Sequence, residues 1–243
     1  SIKPIKYYEK KGSAQIKSCI MLAALNSPGT TKIIALRSRN HTEILFKYLK
    51  IPIKLKIKKK LTLIEIKKKD QISSFNYNIP SDISSSAFFL VLTILSKNSK
   101  LTIKNVNINP TRIGLFKILK KMGVNIKFKN LKKYKGEKVA DIFVESTKFL
   151  RGINCPPDLN SSAIDEFLII FLVAAKAKGI SYFKNLSELN QKIIIKDYLK
   201  DHRVFMTSVV AALSFGGNWI IHNKDSIKTS FPSFLRIISN LNK

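Results

Sequence analysis

Four times along the chain, an apolar segment opens on Ser or Asp and passes through a small turn into a strand-like run. The first copy runs from GSAQIKSCIMLAAL (12–25) through the turn NSPGT to the strand TKIIAL and the amphipathic helix NHTEILFKYLK. IKLKIKKK and LTLIEIKKK follow, and their alternation predicts two strands with a lysine-bearing face. The second copy has the helix SDISSSAFFLVLTILS (81–96), the strand KLTIKNV (100–106), the helix TRIGLFKILKKMG (111–123) and the strands NIKFKN and DIFVES. SSAIDEFLIIFLVAAKA (161–177) and GISYFKNL (179–186) give a third helix and strand. The fourth copy comprises DHRVFMTSVVAALS (201–214), the strand GGNWIIH (216–222) and the closing helix FPSFLRIISNLN (231–242). Helix and strand alternating in a fixed order predict an α/β fold assembled from copies of one unit. Ser13, Ser84 to Ser86, Ser161, Ser162 and Asp201 stand at the helix starts, where side-chain oxygens cap and free N–H groups suit anions. The third copy is short, lacking the second helix and two strands that the first two copies have.

Composition narrows the class. With 243 residues, 45% of them hydrophobic, the chain is expected to fold with a core as one large or two smaller domains. FLIIFLVAA (167–175), the strongest apolar run, is bounded by Asp165, Glu166 and Lys176 and reads as a core helix rather than a membrane span. SIKPIKYYEKKG lacks the apolar centre of a secretion signal, so a cytoplasmic protein is expected. Cys19 and Cys155 are too few for a disulfide framework or a zinc site and are expected to be buried thiols. A net charge of +29 invites a nucleic-acid reading. Only six of the 44 basic residues are Arg, however, and the lysines are spread along the whole chain. Neither a nucleic-acid nor a membrane partner is therefore expected.

GSAQIKSCIMLAAL, SRNHTEIL, PSDISSSAFFLV, NPTRIGLFKILKKMG, AIDEFLIIFLVAAKAKG, DHRVFM and TSFPSF occur in the order found in the 3-phosphoshikimate 1-carboxyvinyltransferase (EPSP synthase) family. The resemblance covers nearly the whole chain except residues 190–200. It implies an incomplete inside-out α/β barrel fold built of βαβαββ units, in which two domains close on the substrates. Residues 1–77 would be the last unit of the N-terminal domain, and 78–243 the C-terminal domain with a truncated middle unit. The family's N-terminal substrate-gripping stretches have no counterpart here, so a missing N-terminal half is an expected partner.

The family reaction, as the resemblance implies it, moves the enolpyruvyl group of phosphoenolpyruvate onto the 5-hydroxyl of shikimate 3-phosphate and releases phosphate. It proceeds by addition and elimination, with no metal or organic cofactor. Two anionic substrates require cationic and N–H donors, the hydroxyl a base, and the methylene carbon a proton donor. Ser13, Ala14, Gln15 and Arg39 match positions that hold shikimate 3-phosphate, and Gln15 also faces phosphoenolpyruvate. Asp165 matches the general base and also binds shikimate 3-phosphate. Arg203 matches an arginine that binds phosphoenolpyruvate, with Asp201 and His202 as its cap and support. Arg112 and His41 read as structural, at a turn and a helix start.

Where the family carries RVKESDR, this chain has NQKIIIK (190–196). Lys192 keeps a shikimate 3-phosphate contact and Lys196 replaces a phosphoenolpyruvate-binding arginine. Ile193 replaces a proton-transferring glutamate, and an isoleucine carries no proton, so the alternative expectation is a catalytically impaired remnant of this enzyme retaining only anion binding or an assembly role.

Overall fold

A computed structural model describes residues 2–186 and 200–241, which form two compact units. One unit comprises the chain up to Pro80 together with Ile108–Arg112 and Leu131–Val139; the other comprises Ser81–Asn107, Ile113–Asn130 and the chain from Ala140 onward.

The first unit holds a four-stranded sheet ordered β1-β2-β4-β3. Strand β1 (Lys6–Glu9) leads through helix α1 (Ala14–Ala24) into β2 (Thr30–Leu36), which pairs parallel to β1. Helix α2 (His41–Tyr48) then leads to the antiparallel strands β3 (Ile53–Lys58) and β4 (Leu61–Lys67). This is one complete βαβαββ unit. Period-two alternation sends Ile33, Ala35, Ile64 and Ile66 inward, where they bury against Met21, Ala24 and Phe46. The intervening Lys32 faces out and pairs with Glu65 at 3.2 Å. Strand β1 was not legible, because KYYE is short and buries only Glu9.

The second unit is built around helix α3 (Ile83–Leu95), whose side chains are almost all buried. Strand β5 (Lys100–Asn107), helix α4 (Gly114–Lys121) and the hairpin β6 (Ile126–Tyr134) and β7 (Glu137–Glu145) follow, with sheet order β5-β7-β6; the hairpin tip, Leu131–Val139, belongs to the first unit. Lys135 and Gly136 turn the hairpin at φ 48° and 92°, a left-handed pair that Gly tolerates. Strands β8 (Asn154–Cys155) and β9 (Tyr182–Phe183) pair parallel. Short helix α5 (Asn160–Ala163), helix α6 (Phe167–Lys176), helix α7 (His202–Phe215) and helix α8 (Phe234–Leu241) complete the described residues.

Several expectations are corrected. The helix expected over 161–177 breaks into α5, a 3-10 turn at Ile164–Glu166, and α6. The strand expected over 179–186 shortens to Tyr182–Phe183. GGNWIIH forms no strand: Gly216 and Gly217 take φ of 71° and 87°, and Trp219 and Ile220 are exposed. Helix α3 is capped by Asp82, which accepts from the Ser85 N–H, while Ser84 to Ser86 lie inside the helix. Ser161 and Ser162 likewise lie within α5. Cys155 is buried as expected, but Cys19 is exposed, because α1 turns Lys17, Met21 and Ala24 inward.

Candidate active site

In the first unit the start of α1 is assembled by Glu9 and Ser13. Buried Glu9 accepts from the N–H groups of Lys11 and Gly12 at 2.8 and 2.7 Å, and Gly12 takes φ +72°. That turn delivers Ser13 in an extended conformation, where its hydroxyl accepts from the Ile16 N–H at 3.3 Å. Ala14 is the first residue of α1, and Gln15 is exposed beside Ser13. Arg39 lies half-buried in the turn between β2 and α2. Its carbonyl accepts from the Lys17 ammonium at 2.7 Å, which ties the SAQ and SRN segments together. His41 opens α2, as expected, and its Nδ1 lies 2.6 Å from Oε1 of buried Glu137. Arg112 donates its backbone N–H to the Asn109 carbonyl in a turn.

In the second unit a cavity of about 260 Å³ is lined by Asp82, Ser84, Ser85, Asp165, His202 and Arg203, with Phe88, Met206 and Phe231 as apolar wall. Asp165 reaches it because the helix breaks. The 3-10 turn puts Asp165 on the cavity and turns Glu166 inward, where it accepts from the Ser84 hydroxyl. Arg203 arrives from the first turn of α7. Asp201 caps that helix through the Arg203 N–H at 2.8 Å, and its carboxylate also accepts from Nη2 at 2.7 Å. Nη1 of Arg203 points the other way, 3.3 Å from Oδ1 of Asp165. His202 lies farther off, with Nδ1 at 3.8 Å from Asp201.

Burial alone would raise the Asp201 carboxyl, but hydrogen bonds from the Arg203 side chain and N–H, and its charge, outweigh that and hold it below its ordinary value. The same bonds raise Arg203 further above its already high value. A cavity with a planar cationic fork on one wall and a carboxylate beside it can grip an anion and accept a proton next to it. Among the described residues, no group of three or more His, Cys, Asp or Glu is placed to hold a metal ion.

The structure thus brings Asp165 and Arg203 into one cavity of the second unit, and Ser13, Ala14, Gln15 and Arg39 into one region of the first. Lys192, Ile193 and Lys196 lie outside the described residues.

A family profile described as EPSP synthase (3-phosphoshikimate 1-carboxyvinyltransferase) matches residues 1–198. The chain belongs to the EPSP synthase family. A 3-phosphoshikimate 1-carboxyvinyltransferase of Ruthia magnifica subsp. Calyptogena magnifica is 35% identical to it over 266 positions, covering 94% of this chain and 60% of that protein. One of Thermodesulfovibrio yellowstonii is 32% identical over 279 positions, covering 100% and 64%. An EPSP synthase structure from Acinetobacter baumannii superposes with a TM-score of 0.87 at 29% identity, covering 99% of this chain and 63% of that one. The enolpyruvyl transferase NikO from Streptomyces tendae, with a TM-score of 0.66 at 11% identity over 98% of this chain and 64% of that one, shares the fold. The chain therefore spans a little under two thirds of the length of these relatives. The Thermodesulfovibrio alignment is also longer than this 243-residue chain, so that relative carries positions inside the aligned stretch with no counterpart here.

Sequence reasoning missed three supports of these residues: Glu9 and the Lys17–Glu43 pair in the first unit, and the Ser84–Glu166 contact in the second. Lys17 was the readable one, since it falls on the apolar stripe of α1 at helical spacing from Met21 and Ala24.

Proposed function

We propose that the chain takes part in transferring the enolpyruvyl group of phosphoenolpyruvate to the 5-hydroxyl of shikimate 3-phosphate, giving 5-enolpyruvylshikimate 3-phosphate and phosphate. The observation that carries this reading is the convergence of Asp165 and Arg203 at 3.3 Å in one cavity, from elements 38 residues apart in sequence. Arg203 binds the phosphoenolpyruvate anion through its planar fork, aided by Gln15 and by Lys196 as a point charge. Ser13, Ala14, Gln15, Arg39 and Lys192 hold shikimate 3-phosphate, the N-terminus of α1 contributing free N–H groups. Asp165 contacts the same substrate and takes the proton of its 5-hydroxyl as oxygen attacks C2 of phosphoenolpyruvate. C3 gains a proton to give the tetrahedral intermediate, then loses one as the C2–O bond breaks and phosphate leaves. Residues 1–77 correspond in this reading to the last unit of the family's N-terminal domain, and 78–243 to its C-terminal domain with a shortened middle unit. The setting is the cytoplasm, with a further N-terminal half as partner.

A second reading is favoured by Ile193 and by the relatives' additional aligned positions. With no carboxylate at that place, the chain would bind the two anions and turn them over poorly, because a positioned general acid contributes about 10²–10⁴-fold. Calorimetric titration with shikimate 3-phosphate, alone and then with phosphoenolpyruvate, tests what the two readings share. Binding of shikimate 3-phosphate weakened by Arg39→Ala is expected; failure of both compounds to bind would sink both readings.

A further inference from the structure

We infer that the buried Lys17–Glu43 ion pair positions Arg39 for the phosphate of shikimate 3-phosphate, a role that rests on the substrate reading above. Lys17 is 1% exposed and Glu43 is 2% exposed. The ammonium lies 2.6 Å from Oε1 of Glu43 on α2 and donates to the Arg39 carbonyl at 2.7 Å. One step along both segments, the hydroxyls of Ser18 and Thr42 meet at 2.6 Å.

A buried ion pair is poor evidence of a device for stability, since desolvating two charges offsets much of their attraction. Two apolar side chains of similar volume would fill this place equally well. They could not, however, grip a backbone carbonyl. An ammonium has three donors; this one donates to the Arg39 carbonyl while its charge lies against the Glu43 carboxylate on α2. The helix turn carrying Ser13 and Gln15 is thereby fixed to the turn carrying Arg39. Lys17 holds Arg39 by its carbonyl, so the point from which the Arg39 side chain sets out follows from Lys17.

Four proteins decide the matter by thermal melting and calorimetric titration with shikimate 3-phosphate: the native chain, Lys17→Met, Glu43→Gln and Lys17→Met/Glu43→Leu. Lys17→Met strands a buried carboxylate and melts lower. The double variant removes both charges and recovers most of the melting temperature. Its affinity stays about tenfold below native, the size of one net hydrogen bond. Glu43→Gln keeps Lys17 on the Arg39 carbonyl, so it melts lower but binds within about threefold of native. Affinity that follows melting temperature through all the variants would overturn the inference and leave the pair a feature of the core. No binding by the native chain would sink the substrate reading, and this inference with it.

Discussion

Arg203 divides its guanidinium between two carboxylates. Asp201 takes Nε and Nη2 and also caps the helix, so it fixes the base of the fork, while Nη1 rests on Asp165. An incoming anion would compete with Asp165 for Nη1 and draw the guanidinium charge away from that carboxylate. Arg203→Lys keeps the charge and loses the fork, and phosphoenolpyruvate affinity is expected to fall about tenfold or more in a titration made in the presence of shikimate 3-phosphate. An affinity within twofold of native would show that charge alone suffices. The Asp201 carboxyl is held below its ordinary value of 3.8, so the unfolded chain binds its proton first as pH falls. The stabilisation is complete above that value and is lost as pH drops through it toward the folded one. Melting curves between about pH 6 and pH 3 should therefore decline less steeply for Asp201→Asn, which still caps the helix, than for the native chain. Parallel declines would contradict the assignment.

At the scale of elements, the decisive feature is the broken helix between Asn160 and Lys176. Gly114 at the start of α4 lets α5 approach: a Cβ there would stand 2.5 Å from the Ser162 hydroxyl and 2.7 Å from its carbonyl carbon. Gly114→Ala should force the two helices apart, lowering stability by about 1–3 kcal/mol in denaturant melts, and shift the turn that carries Asp165. Unchanged stability would mean that the helices separate freely. This contact also marks what the sequence conceals. The alternation of IKLKIKKK and the apolar faces of α1, α3 and α7 followed from period alone, because burial on one face imposes them. The break at Ile164 did not, since SSAIDEF is a sound helical pattern. It is interrupted by tertiary bonds, Ser84 to Glu166 and Arg203 to Asp165, from residues distant in the chain. GGNWIIH failed for the converse reason. Its alternation is strand-like, but paired glycines at positive φ lead it away from any ladder among the described residues. Within the site, Asp165 and Arg203 were legible through the motifs AIDE and DHR, whereas Lys17 and Glu43 bind no substrate in any motif and emerge only from packing.

Across the whole molecule, the βαβαββ unit of residues 6–67 and the family match over 1–198 agree on one architecture, and the net charge of +29 acts on all of it. Like charges at that density repel one another and attract anions from a distance. Raising sodium chloride from about 0.05 to 0.5 M should therefore raise the melting temperature by screening the repulsion, while weakening the affinity for shikimate 3-phosphate. Movement of both in the same direction would show that specific ion pairs outweigh the overall charge. The central claim concerns chemistry at Asp165, and phosphate release tests it most directly. With shikimate 3-phosphate and phosphoenolpyruvate both saturating, the native chain should release phosphate only when both are present, and Asp165→Ala should abolish that release while binding shikimate 3-phosphate more weakly through its remaining contacts. Release that persists in Asp165→Ala, or its absence from a native chain that binds both compounds, would contradict the account.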